Sequence, residues 1–373
     1  MRLIVGCMTG TSLDGLDTVL AEVTGTGLRL RARVIARRCA SLGKLAAPLR
    51  ALAEQQPMSA AGIAKLARDF ALLHARTITR LCAGEHRALD LIAVHGQTVF
   101  HAPPLSWQLF NPAVLAHALN TPVISDLRAA DLAAGGQGAP ITPLADLLLY
   151  SHASERRTVI NLGGFCNLTR LPAKRDAADA RASISGGDVC ACNQVLDAVA
   201  RAVLQRPYDP DGRHALRGVS HLATVQALTK RLERQRQARR SLGTGDELAA
   251  WIVSRPLAPN DLARTACAAI ASVIVGAAQP ADRLVLAGGG VRNRALVAEL
   301  TSRSAVPVSA SDDLGIAAGD REALAMAVLG ALCADGISPT LPQVTQVKRA
   351  PLAGVYTPEP YAEITPAVRR RHR

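Results

Sequence analysis

The chain has 373 residues, of which 49% are hydrophobic and only 3% aromatic, so it is long enough for two domains with aliphatic cores. Its 43 Lys and Arg against 30 Asp and Glu give a net charge of +13, which fits anionic ligands such as nucleotides. The basic runs at 230–240 and 369–373 have the composition of solvated surface, so the pattern favours a small anion over a nucleic-acid partner.

The eight cysteines are scattered without the spacing of a zinc site, which indicates free thiols in a reducing compartment. The N-terminus lacks a secretory leader, and the longest uncharged run, 265–280, is too short to cross a membrane. We therefore expect a soluble, cytoplasmic protein with no membrane partner.

The first part of the chain predicts the element order βββαβαβ. Two strands, at 3–5 and 18–23, flank a small-residue turn. The remaining elements are a strand at 31–39, a helix capped by Ser59, a strand at 89–94, a helix opened by Asn111-Pro112 and a strand at 121–125.

The same order recurs in the second part of the chain. The predicted elements are strands at 158–162, 165–171 and 182–185, a helix after Asp188, an insertion at 206–250, a helix at 261–278, a strand at 283–287, a helix at 292–300, a strand at 306–309 and a helix at 322–333. Gly10 and Gly163 lie 153 residues apart at matching places. We therefore predict two similar α/β domains, 1–127 and 128–373, that share a ligand cleft.

The turn at 10–17 has a composition suited to phosphate. Its two glycines let backbone N–H groups form an anion cradle, and it lacks the lysine of a P-loop. Carboxylates would repel a bare phosphate, so the turn predicts an intervening Mg²⁺ with Asp14 as a ligand. An ordinary polar hairpin is the alternative. The predicted nucleotide-binding residues of this turn are Gly10, Thr11, Ser12, Leu13, Asp14, Gly15, Leu16 and Asp17.

Taken in order, the motifs resemble the anhydro-N-acetylmuramic acid kinase family of the actin, hexokinase and Hsp70 superfold. The matching stretches cover nearly the whole chain: GTSLDGLD at 10–17, HGQTVFH at 95–101, DLRAAD at 126–131, GGQGAP at 135–140, NLGGFCNLT at 161–169, GGGVRN at 288–293 and LPQVT at 341–345. The resemblance implies two RNase-H-like βββαβαβ domains with an ATP cleft between them. It also implies an ATP- and Mg²⁺-dependent kinase of cell-wall recycling that opens 1,6-anhydro-N-acetylmuramic acid with water and phosphorylates O6. Family members are often dimers, so a homodimer fits the resemblance.

The resemblance also assigns the catalytic and nucleotide residues. Asp188 lies where the family has its catalytic Asp, as a base that holds water opposite the leaving oxygen, in the geometry of an inverting glycosidase. A helix cap is its structural alternative. The second phosphate hairpin would contain Gly163 and Gly164, and the adenosine side would contain Gly288, Gly289, Gly290 and Asn293. A tight βα turn and a polar residue in the first helical turn are the alternatives there.

Four residues are candidates for the sugar, whose hydroxyl, N-acetyl and lactyl groups need mixed donors and acceptors: Gln97, Arg128, Asp131 and Glu322. Arg128 suits the lactyl carboxylate, although an ion pair with Asp131 is an equal alternative. His95 and His101 flank a loop near these residues, where a packed or surface histidine is the more common role.

One run departs from the family. After the catalytic Asp the family has Thr-Gly-Pro-Gly-Asn, whereas residues 189–193 are Val-Cys-Ala-Cys-Asn, so we expect residues with side chains to form this turn. Two other functions therefore stay open: a kinase for another small sugar or polyol, and a nucleotide-binding relative with weakened catalysis. Convergence of Gln97, Arg128 and Glu322 on one pocket beside Asp188 would favour the anhydro-N-acetylmuramic acid kinase.

Overall fold

Two β-sheets form the frame of the molecule. The computed structural model describes residues 1–10, 13–173, 180–237 and 247–360; Thr11, Ser12, part of the predicted insertion and the basic tail lie outside the described residues. The first sheet has the order β13-β7-β4-β1-β2-β3, and the second has the order β10-β9-β8-β11-β12. The strands are β1 (Arg2–Met8), β2 (Leu16–Thr24), β3 (Arg31–Ala40), β4 (Leu91–Val94), β5 (Gln97–Ala102), β6 (Leu105–Leu109), β7 (Val123–Ser125), β8 (Arg157–Leu162), β9 (Phe165–Leu171), β10 (Ser185–Ala191), β11 (Arg283–Ala287), β12 (Val308–Ala310) and β13 (Val355–Thr357).

The two sheets repeat one topology. In each sheet, the first strand in chain order (β1 or β8) pairs antiparallel with the second, and the second pairs antiparallel with the third. The fourth and fifth strands in chain order, β4 and β7 in the first sheet and β11 and β12 in the second, run parallel to the first. This is the βββαβαβ unit, present twice. The predicted fold class, two RNase-H-like units of the actin, hexokinase and Hsp70 superfold, is confirmed.

The helices begin where local capping chemistry predicts. Ser59 accepts a hydrogen bond from the Gly62 amide, and Asn111 accepts one from the Val114 amide. The described helices are α1 (Ala46–Ala53), α2 (Ala60–Leu81), α3 (Pro112–Leu119), α4 (Ala129–Ala133), α5 (Pro143–Tyr150), α6 (Asn193–Val199), α7 (Arg213–Arg217), α8 (Leu222–Gln237), α9 (Glu247–Val253), α10 (Pro259–Ala278), α11 (Arg294–Arg303), α12 (Arg321–Ala334) and α13 (Pro342–Thr345).

Helices α5 and α12 lie between the sheets. One core cluster joins both helices to Ile4 and Val19 of the first sheet and to Val159 and Val285 of the second. Helix α12 approaches β1 so closely that a Cβ on Gly6 would overlap the backbone of α12. Only glycine fits there, and the close contact places the start of α12 at the cleft.

The end of the chain returns to the first sheet. Strand β13 pairs antiparallel with β7, and α12 packs on β1, β2 and β4. The domain division between residues 127 and 128 stays a prediction. A division by packing would assign the last described residues to the first sheet.

Strand β10 differs from the prediction. The strand expected at 182–185 instead covers Ser185–Ala191, so Gly186, Gly187 and Asp188 lie inside it and do not end it. The physical reason is a close approach to the neighbouring strand, because a Cβ on Gly186 would lie 2.8 Å from the Leu168 carbonyl oxygen. Gly186 therefore serves strand packing and not a turn, whereas a Cβ on Gly187 would meet no atom within 4 Å.

The insertion is helical where it is described. Part of its basic run packs on an aromatic ring, since the Arg231 guanidinium lies 4.6 Å from the Trp251 ring centroid. Helix α10, beside it, is long and apolar enough to cross a membrane by length and composition, and it is the one such helix in the described part of the chain. It is 72% buried over its most apolar window, as expected for a core helix.

Candidate active site

The described residues of the first hairpin present mainly backbone and one acidic side chain. The Leu13 amide donates to the Gly10 carbonyl at 3.2 Å, and Leu13 has a φ of 59°. The side chains of Leu13 and Leu16 are buried in the core that packs helices α1, α2 and α3 against the first sheet, so only their backbone can face a ligand. Asp14 is exposed, whereas Asp17 lies in β2 and accepts a hydrogen bond from the Cys39 thiol at 2.8 Å.

The second hairpin joins β8 to β9 and holds the start of α6. The Gly164 carbonyl accepts from the Cys192 amide at 2.9 Å, and the Gly163 carbonyl accepts from the Asn193 amide at 3.1 Å. The predicted matching positions of Gly10 and Gly163 are therefore confirmed as hairpin turns in equivalent places of the two sheets. Phosphate binding by these turns stays a prediction.

Asp188 lies on β10 with its residue exposed. It pairs with Asn167, and the register shifts between Asp188 and Cys190. A bulge of this kind bends a strand and re-aims its side chains. The helix-cap alternative is wrong, because α6 begins only at Asn193.

The run that departs from the family needs no glycine here. None of residues 189–193 has a positive φ, so side chains are tolerated throughout. Cys190 and Cys192 are fully buried and pack in the hydrophobic core between the second sheet and its helices. The turn expected in this run does not form, because residues 189–191 continue β10 and α6 begins at Asn193.

Arg128 is held by His95 and by a loop carbonyl. Its Nε and Nη2 atoms lie 3.2 and 2.9 Å from His95 Nε2, and its Nη1 donates to the Gly138 carbonyl at 2.7 Å. Asp131 lies behind this contact and is fully buried. Its carboxylate accepts from the Gly138 amide at 2.8 Å and from the Thr345 hydroxyl at 2.8 Å.

Two interpretations of these residues change. The alternative of an Arg128–Asp131 ion pair is wrong, because no such pair occurs among the described residues. Asp131 was predicted to contact the sugar, but its burial and its two engaged oxygens give it a structural role. It fixes the loop whose carbonyl holds Arg128.

Carboxylates surround Arg128. Burial lowers the pKa of Arg128 to about 10, although the charges of Asp188, Asp126 and Glu322 act to raise it. Glu322 accepts from the Asn161 amide at 3.2 Å, and burial raises its pKa above the usual range. Arg128 thus lies within electrostatic reach of both Asp188 and Glu322.

Gln97 lies two residues beyond His95 and is almost fully buried. Its amide nitrogen donates to the Thr98 carbonyl at 3.1 Å, and its Oε1 has no partner among the described residues. Contact between Gln97 and the sugar stays a prediction.

The glycines after β11 line a cleft of ≈ 210 Å³ between the sheets. A Cβ on Gly290 would lie 2.6 Å from Leu162 Cβ, whereas one on Gly289 would meet nothing within 4 Å. Gly290 is therefore required for packing, and Gly289 faces open space. The cleft is lined by Arg37, Gly288, Gly289, Val291, Arg292, Asp312, Ala317, Ala318 and Gly319.

Asn293 is the N-cap of α11. Its side chain accepts from the Leu296 amide at 3.0 Å, which is the structural alternative given to it above. A direct contact with adenosine stays a prediction.

The acidic residues near the hairpins fit a phosphate-bound Mg²⁺ better than a metal held by protein alone. The described residues contain no group of three or more His, Cys, Asp or Glu side chains arranged to hold a metal. Asp197 on α6 lies within electrostatic reach of Asp14. Burial is the main cause that raises the pKa of Asp197 to about 6, the Arg201 charge acts against it, and the Asp14 charge adds a smaller rise. One or two carboxylates completed by phosphate oxygens and water form the usual Mg²⁺ site of kinases.

Sequence patterns missed several residues of this site. Asn161 donates a hydrogen bond to Glu322, and Thr345 donates one to Asp131. Asp197 lies within electrostatic reach of Asp14. Asn161 and Thr345 belong to motifs quoted above for the resemblance, which was the available signal. The one sequence signal for Asp197 is its place on a predicted amphipathic helix.

A βββαβαβ unit that occurs twice, with a hairpin turn from each sheet, defines the actin, hexokinase and Hsp70 superfold. The family model described as anhydro-N-acetylmuramic acid kinase matches residues 2–359. The chain is 34% identical to a protein of that name from Salinibacter ruber, over 96% of this chain and 97% of the relative. It is 36% identical to one from Bordetella pertussis, over 96% of each chain. The chain belongs to the anhydro-N-acetylmuramic acid kinase family.

Proposed function

We propose that this protein opens 1,6-anhydro-N-acetylmuramic acid with water and uses ATP to phosphorylate O6, giving N-acetylmuramic acid 6-phosphate and ADP in peptidoglycan recycling. The observation that carries the proposal is the family match over residues 2–359, and the charges of Asp188 and Glu322, which both act on Arg128, agree with it. Membership of the family supports the choice of sugar. Convergence of Gln97, Arg128 and Glu322 on one pocket beside Asp188, which would favour this sugar over another small sugar, stays a prediction.

In the proposed reaction, Asp188 accepts a proton from the water that attacks the anomeric carbon. The bond from that carbon to O6 breaks, and O6 attacks the γ-phosphoryl group of ATP. A glycosidase needs an acid at the leaving oxygen, whereas here the phosphoryl group captures it. Arg128 binds the lactyl carboxylate, and Glu322 accepts from sugar hydroxyls or the N-acetyl N–H.

The two hairpins hold the triphosphate, and Asp14, with Asp197 nearby, would hold Mg²⁺ against it. When bound, Mg²⁺ neutralises the charge that develops on the β- and γ-phosphates. Gly289 leaves room for the adenosine, because a Cβ there would meet no protein atom within 4 Å. We place the reaction in the cytoplasm, where ATP is available, and the eight free cysteines agree with a reducing compartment. A homodimer stays a prediction.

The proposed function is tested by ATP turnover of the full chain with 1,6-anhydro-N-acetylmuramic acid. The expected product carries one phosphate and one added water, identified by mass. Turnover of a different small sugar, with none of this one, would support the alternative kinase. ATP binding without turnover of either sugar would support the weakened relative.

The glycines after β11 give a second test, which separates packing from nucleotide binding. We expect Gly290→Ala to destabilise the fold by about 1–3 kcal/mol, because the added methyl overlaps Leu162. Gly289→Ala meets no protein atom within 4 Å, so it should keep the stability of the parent and weaken ATP binding. Thermal unfolding and calorimetric titration with ATP measure the two effects. Unchanged ATP affinity in Gly289→Ala would remove Gly289 from the nucleotide site.

A further inference from the structure

A buried histidine makes two contacts with the Arg128 guanidinium. His95 is 4% exposed, and its Nδ1 lies 2.9 Å from the Gly96 carbonyl oxygen. A carbonyl oxygen can only accept, so the proton of the neutral ring is on Nδ1 and Nε2 is the acceptor. This is the atom that faces Nε and Nη2 of Arg128 at 3.2 and 2.9 Å.

The contacts of Arg128 leave a defined part of its guanidinium for a ligand. Arginine has five N–H donors in one plane. One on each of Nε, Nη2 and Nη1 is directed at His95 or at the Gly138 carbonyl. Among the contacts of the described residues, two donors are left, one on each Nη atom. A carboxylate can bind this pair with both oxygens if the Gly138 carbonyl takes the Nη1 hydrogen on the Cδ side, because the two remaining N–H bonds then lie parallel and form a fork on the Nη edge.

The electrostatic surroundings keep His95 in the form that this contact needs. Burial, and then the Arg128 charge, lower the pKa of His95 to about 3, against about 6.5 for an exposed histidine. The ring therefore stays neutral near pH 7 and keeps its acceptor. A charged imidazolium would place a donor against the guanidinium.

We propose that His95 is a positioning residue, which fixes Arg128 by accepting from its Nε edge and so aims the Nη fork at the carboxylate of the substrate. The proposal deepens the proposed function and rests on it for the identity of the substrate. His95 touches no reacting atom in this scheme. It acts through Arg128 on the choice between sugars with and without a carboxylate.

The contact itself is tested without turnover. In full-length protein with ¹⁵N-labelled histidine, the His95 ring should show a protonated Nδ1 and a bare Nε2 that stay unchanged from pH 8 to pH 5. The signals that are absent from the His95→Gln variant identify His95. A ring protonated on Nε2, or one that gains a second proton in this range, would overturn the proposal.

The effect on specificity is tested with two sugars and three variants. His95→Leu removes the acceptor, and we expect the KM for 1,6-anhydro-N-acetylmuramic acid to rise about 10- to 100-fold, the range for lost hydrogen bonds to a charged group. The value of kcat should change by less than about threefold. The KM for 1,6-anhydro-N-acetylglucosamine, which lacks the lactyl carboxylate, should stay near that of the parent. His95→Gln, whose Oε1 can take the place of Nε2, should restore most of the affinity.

A matched control removes another buried imidazole. His74 is 1% exposed, and its one hydrogen bond among the described residues joins Nδ1 to the Phe70 carbonyl of its own helix, so His74→Leu should leave the ratio of the two KM values unchanged. Equal losses for both sugars in His95→Leu, or no recovery in His95→Gln, would show a merely structural role and overturn the proposal. If the parent turns over neither sugar, the proposed function fails on that result alone. Calorimetric binding of the same two sugars to parent and variants then decides the role of His95.

Discussion

Asp188→Asn is expected to lower turnover of 1,6-anhydro-N-acetylmuramic acid by about 10² to 10⁴-fold, the usual contribution of a general base. Asparagine keeps the size of the side chain but cannot accept a proton from water. Asp188 lies on β10, opposite Asn167 in the strand pairing, away from the glycines that follow β11. ATP binding should therefore stay near that of the parent. Initial rates at saturating sugar and ATP, together with calorimetric ATP binding, measure the two quantities.

A surface aspartate supplies the control for this loss. Asp211 pairs with Arg213 at 2.9 Å on an exposed part of the insertion, so Asp211→Asn should keep the turnover of the parent. If Asp188→Asn also kept near-normal turnover, Asp188 would not be the base. The mechanism would then need another carboxylate of the cleft.

The largest effect on stability is expected for Asp146→Ala. Arg321 and Asp146 form an ion pair between α12 and α5 whose side chains are 1% and 0% exposed, and Thr169 of β9 donates to Asp146 at 2.7 Å. Removing the carboxylate leaves a buried guanidinium charge without its partner. We expect the free energy of unfolding to fall by about 3–5 kcal/mol. Urea unfolding followed by circular dichroism measures it.

An exposed pair of the same residue types isolates the effect of burial. Arg156 and Asp282 bond at 2.6 Å with side chains 51% and 39% exposed, so Asp282→Ala should cost only about 0–1 kcal/mol. Replacing both partners of the buried pair, as Asp146→Leu with Arg321→Met, should recover most of the loss, since no charge is then buried. Equal costs for the two single variants would contradict this account.

Much of the fold could be predicted because its signals are local. Strand β9 lies exactly at the predicted 165–171, and the helix starts at Ser59 and Asn111 follow from capping chemistry. The prediction placed β10 wrongly because paired glycines favour a turn. The need for glycine at position 186 comes from the neighbouring strand β9, which the local sequence does not show. The return of β13 to the first sheet depends on contacts between distant segments, which periodicity does not encode.

The site divides in the same way. The two hairpins follow from small residues between strands, so both were located correctly from the sequence. The surroundings of Arg128 could not be found by spacing, because Arg128 and His95 are 33 residues apart and Asp131 and Thr345 are 214 apart. A polar residue near a motif looks the same in sequence whether it faces the ligand or, like Asp131, fixes the loop behind it.

The return of the chain end to the first sheet has a consequence for synthesis. Strands β1 to β4 leave the ribosome early. The helix that covers one face of their sheet, α12, ends only at Ala334, and the edge strand of that sheet, β13, ends at Thr357. Until the residues up to Thr357 have been translated, the nascent sheet keeps an uncovered apolar face and an open edge. Such surfaces are the ones that molecular chaperones bind and that pair wrongly between chains. The first sheet is therefore completed only by segments that are translated long after its first four strands.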